Sequence, residues 1–289
     1  AIDAKEGPLK DFTLNEKEFY ELKIAGWLHD CGKVTTPEFV MDKPTKLSGI
    51  FDRIVLIDQR FELLKKQAEC DVLKVQLEAL RNGHMLDSSS LDAELDNFKQ
   101  QCDEEREFLR KSNFGSEFMT AEDQQRVINI AASQLVDSNG EPMPFLSENE
   151  VYNLNIARGT LTSEEREVIN NHIVVTIHML DSLPYPNSLK RVPEYAGGHH
   201  ERMDGRGYPK GLTREQMSVP ARVMGIADIF EALTSKDRPY KKAKTLSESL
   251  QILGKMKVEH HIDPDLFDIF VREKIYLKYA QQFLEPEQI

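Results

Sequence analysis

Apolar positions recur at helical spacing along most of the 289-residue chain. Three runs, Thr13-Leu14-Asn15-Glu16, Ser147-Glu148-Asn149-Glu150 and Thr162-Ser163-Glu164-Glu165, match a reciprocal N-terminal cap. In that cap a hydroxyl and a carboxylate three residues apart satisfy orphan backbone amides. They predict helices over 14–30, 148–154 and 163–182. Further periodic stretches predict helices over 50–82, 91–111, 121–135, 219–235, 246–258 and 264–282. Only "NIARGTL" (155–161) reads as a short strand, so the expected fold class is all-α.

One stretch has a different period. Ile50, Ile54, Ile57, Phe61, Leu64 and Ala68 follow 4-3-4-3-4 spacing, continued loosely by Val72, Val75 and Ala79. That is a coiled-coil seam. "RNGHMLDSSS" (81–90) supplies a turn before a second charged helix, which predicts a long antiparallel helical hairpin. Residues 44–157 are therefore expected to be a helical insertion, and its seam is a candidate surface for a homodimer.

Composition narrows the partners. The net charge is −12, from 37 basic and 49 acidic residues, a poor basis for gripping a nucleic-acid backbone. A small anionic ligand is compatible if local cations reverse the field. Cys31, Cys70 and Cys102 are odd in number and far apart, which argues against a disulfide framework and for a reducing, cytoplasmic setting. No apolar run approaches the length of a membrane span, so no membrane contact by this stretch is expected. The chain opens on Ala1 and reads as a fragment, with any membrane anchor confined to a missing upstream part.

The chemistry gathers in four places. "GWLHDCGK" (26–33) ends an apolar helix with His29 beside Asp30, and a buried carboxylate is costly without a compensating cation or hydrogen bond. "GGHHERMDGRGYP" (197–209) pairs His199 with His200 in a dense polar cluster. His172 lies in the 163–182 helix, and Asp228 interrupts the apolar "GIADIFEAL". A His/Asp set without Cys suits Fe, Mn, Zn or Ni and argues against a structural zinc site. Convergence of the four segments on one metal site explains why each carries a badly placed ligand.

"LHDCGK", "HHERMDGRGYPKGL" and "ARVMGIADIFEALTSKDRPYKKAKTL" together resemble the HD-GYP family of cyclic dinucleotide phosphodiesterases, within the HD superfamily. The resemblance covers about 14–43 and 160–282. It implies an all-helical HD-domain bundle formed by 1–43 and 158–289, following an upstream sensory or receiver region. It also implies a metal centre that hydrolyses cyclic di-GMP, or 3',3'-cyclic GMP-AMP, to linear dinucleotide and onward to mononucleotide. By residue, His29 and Asp30 match the pair that names the superfamily, with Asp30 bridging two ions. Asp228 joins His29 on one ion, and His172, His199 and His200 hold the other. Lys33 matches the lysine near the scissile phosphate. Tyr208, Arg238, and Lys241 or Lys242 match residues that hold phosphate or guanine. Fe is the expected metal, with Mn or Ni as alternatives.

Two departures qualify the match. No His precedes His29, so the Glu and His of a third metal site lack a match: either they stand upstream of this sequence or the centre holds two metals. His29 and His172 are also separated by the long insertion. Two rival readings are an HD-type phosphohydrolase of dNTPs or alarmones, and a non-catalytic cyclic dinucleotide sensor. The remaining residues of note have bland expectations. His178 should point away from the metals, His84 should lie in the hairpin turn, and His260-His261 should end a helix. Cys31 and Trp27 should pack in the core.

Overall fold

The computed structural model describes residues 7–83, 89–116, 118–137, 139–235 and 243–289. In chain order the helices begin with α1 (Glu16–Leu28), α2 (Glu38–Met41), α3 (Ile54–Arg81), α4 (Ser89–Asn113) and α5 (Ala121–Ala131). Strands β1 (Gln134–Val136) and β2 (Pro142–Pro144) then form a two-stranded antiparallel ribbon, with Leu135 opposite Met143. There follow α6 (Glu148–Leu154), α7 (Ser163–Asn170), α8 (His172–Asp181), α9 (Val192–Gly197) and α10 (Val219–Thr234). The chain ends with α11 (Leu246–Val258), α12 (Pro264–Arg272) and α13 (Ile275–Phe283). The molecule is helical, as the pattern predicts.

Several local expectations are corrected. The strand expected at 155–161 does not form, and Gln134–Val136 with Pro142–Pro144 supply the ribbon instead. The α1 cap is Asn15 with Glu18 rather than Thr13 with Glu16. The helices expected over 163–182 and 264–282 each divide, the second at Lys274 in a left-handed conformation. Ile50 lies outside α3 and is fully exposed. Trp27 is 70% exposed on the outer face of α1, with Lys23 over its ring, so it is not a core residue.

The chain divides into two compact units, 1–37 with 167–289, and 38–166. The limits of the second enclose the 44–157 stretch. In the first unit, α1, α8 and α9 share a core built on Ala25, Leu180, Val192 and Tyr195. A second cluster joins α10 to the C-terminal helices through Ile226, Phe230, Leu253 and Leu266. The turn after α1 lies directly against α8: the Gly32 amide donates to Thr176 Oγ1 (2.9 Å), and a Cβ on Gly32 would sit 2.1 Å from the His172 carbonyl oxygen. Only glycine permits that approach, which sets the HD pair beside His172.

In the second unit, α3 and α4 run as an antiparallel pair over Ile57, Phe61, Cys102 and Leu109, with α5, α6 and the ribbon completing the core. The Ile57–Phe61–Leu64 stripe is thus buried within the chain, as a helical hairpin requires, and is not open to a second copy.

Candidate metal centre

Three histidines share one local device. His29, His172 and His199 each lie one or two residues beyond the C-terminus of a helix, respectively α1, α7 and α9. There the last carbonyls lack intrahelical donors. Each ring turns back and donates its Nδ1–H to the carbonyl three residues earlier: His29 to Gly26 (2.8 Å), His172 to Ile169 (2.5 Å) and His199 to Ala196 (2.6 Å). A carbonyl oxygen can only accept, so Nδ1 carries the proton and Nε2 is left with a lone pair. This hydrogen bond is the kind that fixes tautomer and ring orientation in metal-binding histidines.

The lone pairs converge. His172 Nε2 is 3.2 Å and His199 Nε2 3.8 Å from Asp30 Oδ1, while His200 Nε2 is 3.3 Å from His172 Nε2. On the other side His29 Nε2 lies 3.3 Å from Asp30 Oδ2 and 3.6 Å from Asp228 Oδ1. Asp30 Oδ1 and His199 Nε2 are buried and have no hydrogen-bond partner among the described residues. Lone pairs facing one another at these distances are repulsive unless a cation lies among them. Two groups of donor atoms meet the spacing of metal ligands: Asp30, His172, His199 and His200, and His29, Asp30 and Asp228. Asp30 belongs to both.

Electrostatics favour the ligand forms. Burial, with its neighbour His199 adding to the effect, pushes the His200 pKa well down, and burial likewise depresses His199, so both rings are neutral near pH 7. Burial opposes ionisation of Asp30, but His172, the Lys33 ammonium and His29 outweigh it and hold the carboxyl far below its usual range. Asp228 is similarly lowered, because His29, His199 and His200 outweigh its burial. Two carboxylates with the neutral His199 and His200 rings form a donor set that a divalent cation satisfies. At His29 burial is outweighed by the carboxylates of Asp228 and Asp30, which raise the pKa.

Around these ligands, Lys33 Nζ contacts Asp30 Oδ2 at 2.5 Å. The Tyr208 ring stacks on His200 with centroids 4.9 Å apart. The loop carrying Tyr208 is held by Glu201, a residue with no predicted role in the site. Glu201 is buried and accepts from the amides of Lys210 (2.7 Å) and Leu212 (2.8 Å). Its signal would have been its position against turn residues rather than any ligand spacing. A cavity of about 710 Å³ opens beside the HD pair, with His29, Asp30, Lys33 and Asp228 on its polar side and Phe270 and Tyr279 among its apolar lining.

His29, Asp30, His172, His199, His200 and Asp228 are thus brought together, with Lys33 and Tyr208 at their edge. Arg238, Lys241, Lys242 and His84 lie outside the described residues. His178 is exposed, and neither it nor His260 or His261 enters either ligand group. Cys31 is half-buried against the α1–α9 core.

Residues 143–266 match a family model described as HD domain. The chain is 43% identical over 81 residues to a 3'3'-cGAMP-specific phosphodiesterase of Vibrio cholerae, a match covering 28% of this chain and 19% of that protein. It is 37% identical over 114 residues to a cyclic di-GMP phosphodiesterase of Pseudomonas aeruginosa (39% and 26%). It is 31% identical over 126 residues to a cyclic di-GMP phosphodiesterase of Thermotoga maritima (40% and 34%). Residues 143–266 thus carry an HD domain, and the matches are consistent with the HD-GYP family. It spans roughly a fifth to a third of the length of these relatives. The HD-domain match begins at 143, so the His29-Asp30 pair lies outside it and joins the site through the fold. No described helix is long and apolar enough to cross a membrane.

Proposed function

We propose that this chain is the catalytic part of a metal-dependent phosphodiesterase that opens a cyclic dinucleotide, cyclic di-GMP or 3',3'-cyclic GMP-AMP, to the linear dinucleotide and onward to mononucleotide. The observation that carries this is Asp30, shared between two sets of inward-facing donor atoms. His29, Asp30 and Asp228 would hold one ion, and Asp30, His172, His199 and His200 a second. Fe is the expected metal, with Mn and Ni as alternatives. Bound metal would supply positive charge against phosphoryl oxygens and acidify a water to near neutral pH.

The chain's own residues do the rest. The three Nδ1–carbonyl hydrogen bonds orient the rings before any ligand arrives, so little reorganisation accompanies binding. Lys33 places an ammonium at the cavity edge, where charge develops on the phosphate. Tyr208 offers an aromatic hydroxyl beside His200, and Arg238 with Lys241 or Lys242 would grip phosphate or guanine. The cavity volume falls within the range of small-ligand sites. The names of the relatives supply the substrate class.

Anaerobic reconstitution with Fe, Mn or Ni, followed by chromatography of products from both cyclic dinucleotides, tests the reading. Linear dinucleotide formed only with metal is expected. Bound metal with cyclic substrate left intact would favour a sensor, and turnover of dNTPs or alarmones instead would favour the rival enzyme.

A further inference from the structure

Helix α3 carries two apolar stripes, and α4 buries only one of them. The Ile57, Phe61 and Leu64 stripe faces the core of the second unit. On another face Leu56, Leu63, Cys70 and Leu77 recur every seven residues, with Leu73 and Leu80 interleaved three positions on. These five leucines are 37 to 71% exposed, and Cys70 is exposed as well. By contrast, α4 has no exposed large hydrophobic side chain among the described residues. A solvent-facing helix does not need such a stripe, and its period is that of a coiled-coil seam.

The charges beside the stripe say what covers it. Taking Leu56, Leu63, Cys70 and Leu77 as the first seam position, the flanking position before it holds Glu62 and Glu69, and the flank on the other side holds Arg60, Lys74 and Arg81. In a parallel pair of identical helices, each flank faces the opposite flank of the partner five residues on, setting Glu69 against Lys74 of a second copy. In an antiparallel pair acid would face acid and base would face base. Glu69 and Lys74 already have intrachain partners, Lys66 with Lys99 and Asp71 respectively, but surface pairs of this type exchange at little cost. The fully apolar run Cys70–Leu73–Leu77–Leu80 lies in the C-terminal half of α3. Polar Gln59 and Lys66 interrupt the N-terminal half and serve to fix register.

We propose that the outer face of α3 is a homodimer interface, a parallel two-stranded coiled coil with a second copy of this chain, in which Cys70 meets its symmetry mate. It is a different face from the one the Ile50–Ala68 periodicity suggested.

Light scattering on the full chain tests the surface, and a short bis-maleimide, which joins two thiols by addition, tests the register. The native chain should run at twice its single-chain mass and give a covalent dimer on treatment. Cys70→Ser should abolish that cross-link. Leu73→Lys combined with Leu77→Lys should give single-chain mass, with helical circular dichroism and bound metal unchanged. A native chain at single-chain mass, or a double variant that remains dimeric, would overturn the interface. A dimer that the double variant dissolves but that never cross-links through Cys70 would overturn the parallel register. If the double variant loses helix, the Cys70 cross-link in the native chain decides between these outcomes.

Discussion

Asp30 has two carboxylate oxygens, and each faces its own set of imidazole nitrogens. Oδ1 lies near His172 and His199, and Oδ2 near His29 and Lys33. Lys33→Met should leave bound metal in place while lowering kcat by about 10²–10³-fold, because an ammonium positioned against developing phosphate charge is removed. Loss of metal from this variant, by elemental analysis, would instead make Lys33 a support of Asp30. At this scale the site was legible, since His and Asp in apolar helices are chemically out of place. Their common orientation was not, because it depends on where helices end, and the break at Asn171 left no capping signature in the sequence. Trp27 misled for the opposite reason: aromatic bulk says nothing about which side of α1 faces outward.

At the scale of elements, two buried charges make opposite demands. Asp263 caps α12, accepting from the amides of Asp265 and Leu266, and binds Arg214 and Arg222 while fully buried. Its burial raises the pKa, but the Leu266 amide and the two guanidinium groups more than offset this, and the net shift is downward. The unfolded chain therefore takes up a proton first on acidification. The resulting stability is full above about pH 4 and is lost as pH falls through the lower folded value. Asp263→Ala should destabilise the protein by about 3–5 kcal/mol at pH 7, since it leaves two guanidinium groups without their buried partner. Melting curves at pH 7 and pH 3 check both the size and the sign.

Lys46 is the reverse case. Its ammonium is fully buried, bonded among the described residues to Met119 Sδ and the Leu154 carbonyl, and burial lowers its pKa to about 8. Between pH 8 and about 10.4 the unfolded chain holds the extra proton, so stability of this unit should rise with pH across that window. Lys46→Met should remove that slope. At pH 7 it should stabilise by up to about 2 kcal/mol, the roughly 3 kcal/mol implied by the shift less about 1 for the hydrogen bond lost at Leu154. Chemical denaturation at pH 7 and pH 9.5 measures this. A Lys46→Met variant less stable than the native chain at both values would show that the Leu154 contact dominates.

For the whole molecule, helicity and the four ligand-bearing segments were readable, whereas the choice between the two stripes of α3 was not. Both stripes repeat at seven-residue spacing, so periodicity alone cannot rank them. The Ile/Phe face became internal because α4 and the ribbon supply matching apolar surface in Cys102, Leu109 and Leu135. Residues 38–166 have a core of their own, and the turn at 31–35 meets α8 without them. Replacing 44–157 with a short Gly/Ser linker should therefore leave bound metal per chain unchanged, and elemental analysis of the purified variant checks it. A folded variant without metal would show that the removed unit supports the site.

Everything proposed for this centre rests on Asp30 belonging to two metal sites at once. The most direct measurement is metal per chain after anaerobic reconstitution, for the native protein and for Asp30→Ala. The native chain should hold two ions. The variant should lose affinity for both together, by more than the ~10–100-fold that loss of an outer-shell partner costs, with its helical content unchanged. A variant that keeps two ions, or that loses one and holds the other at native affinity, would contradict it.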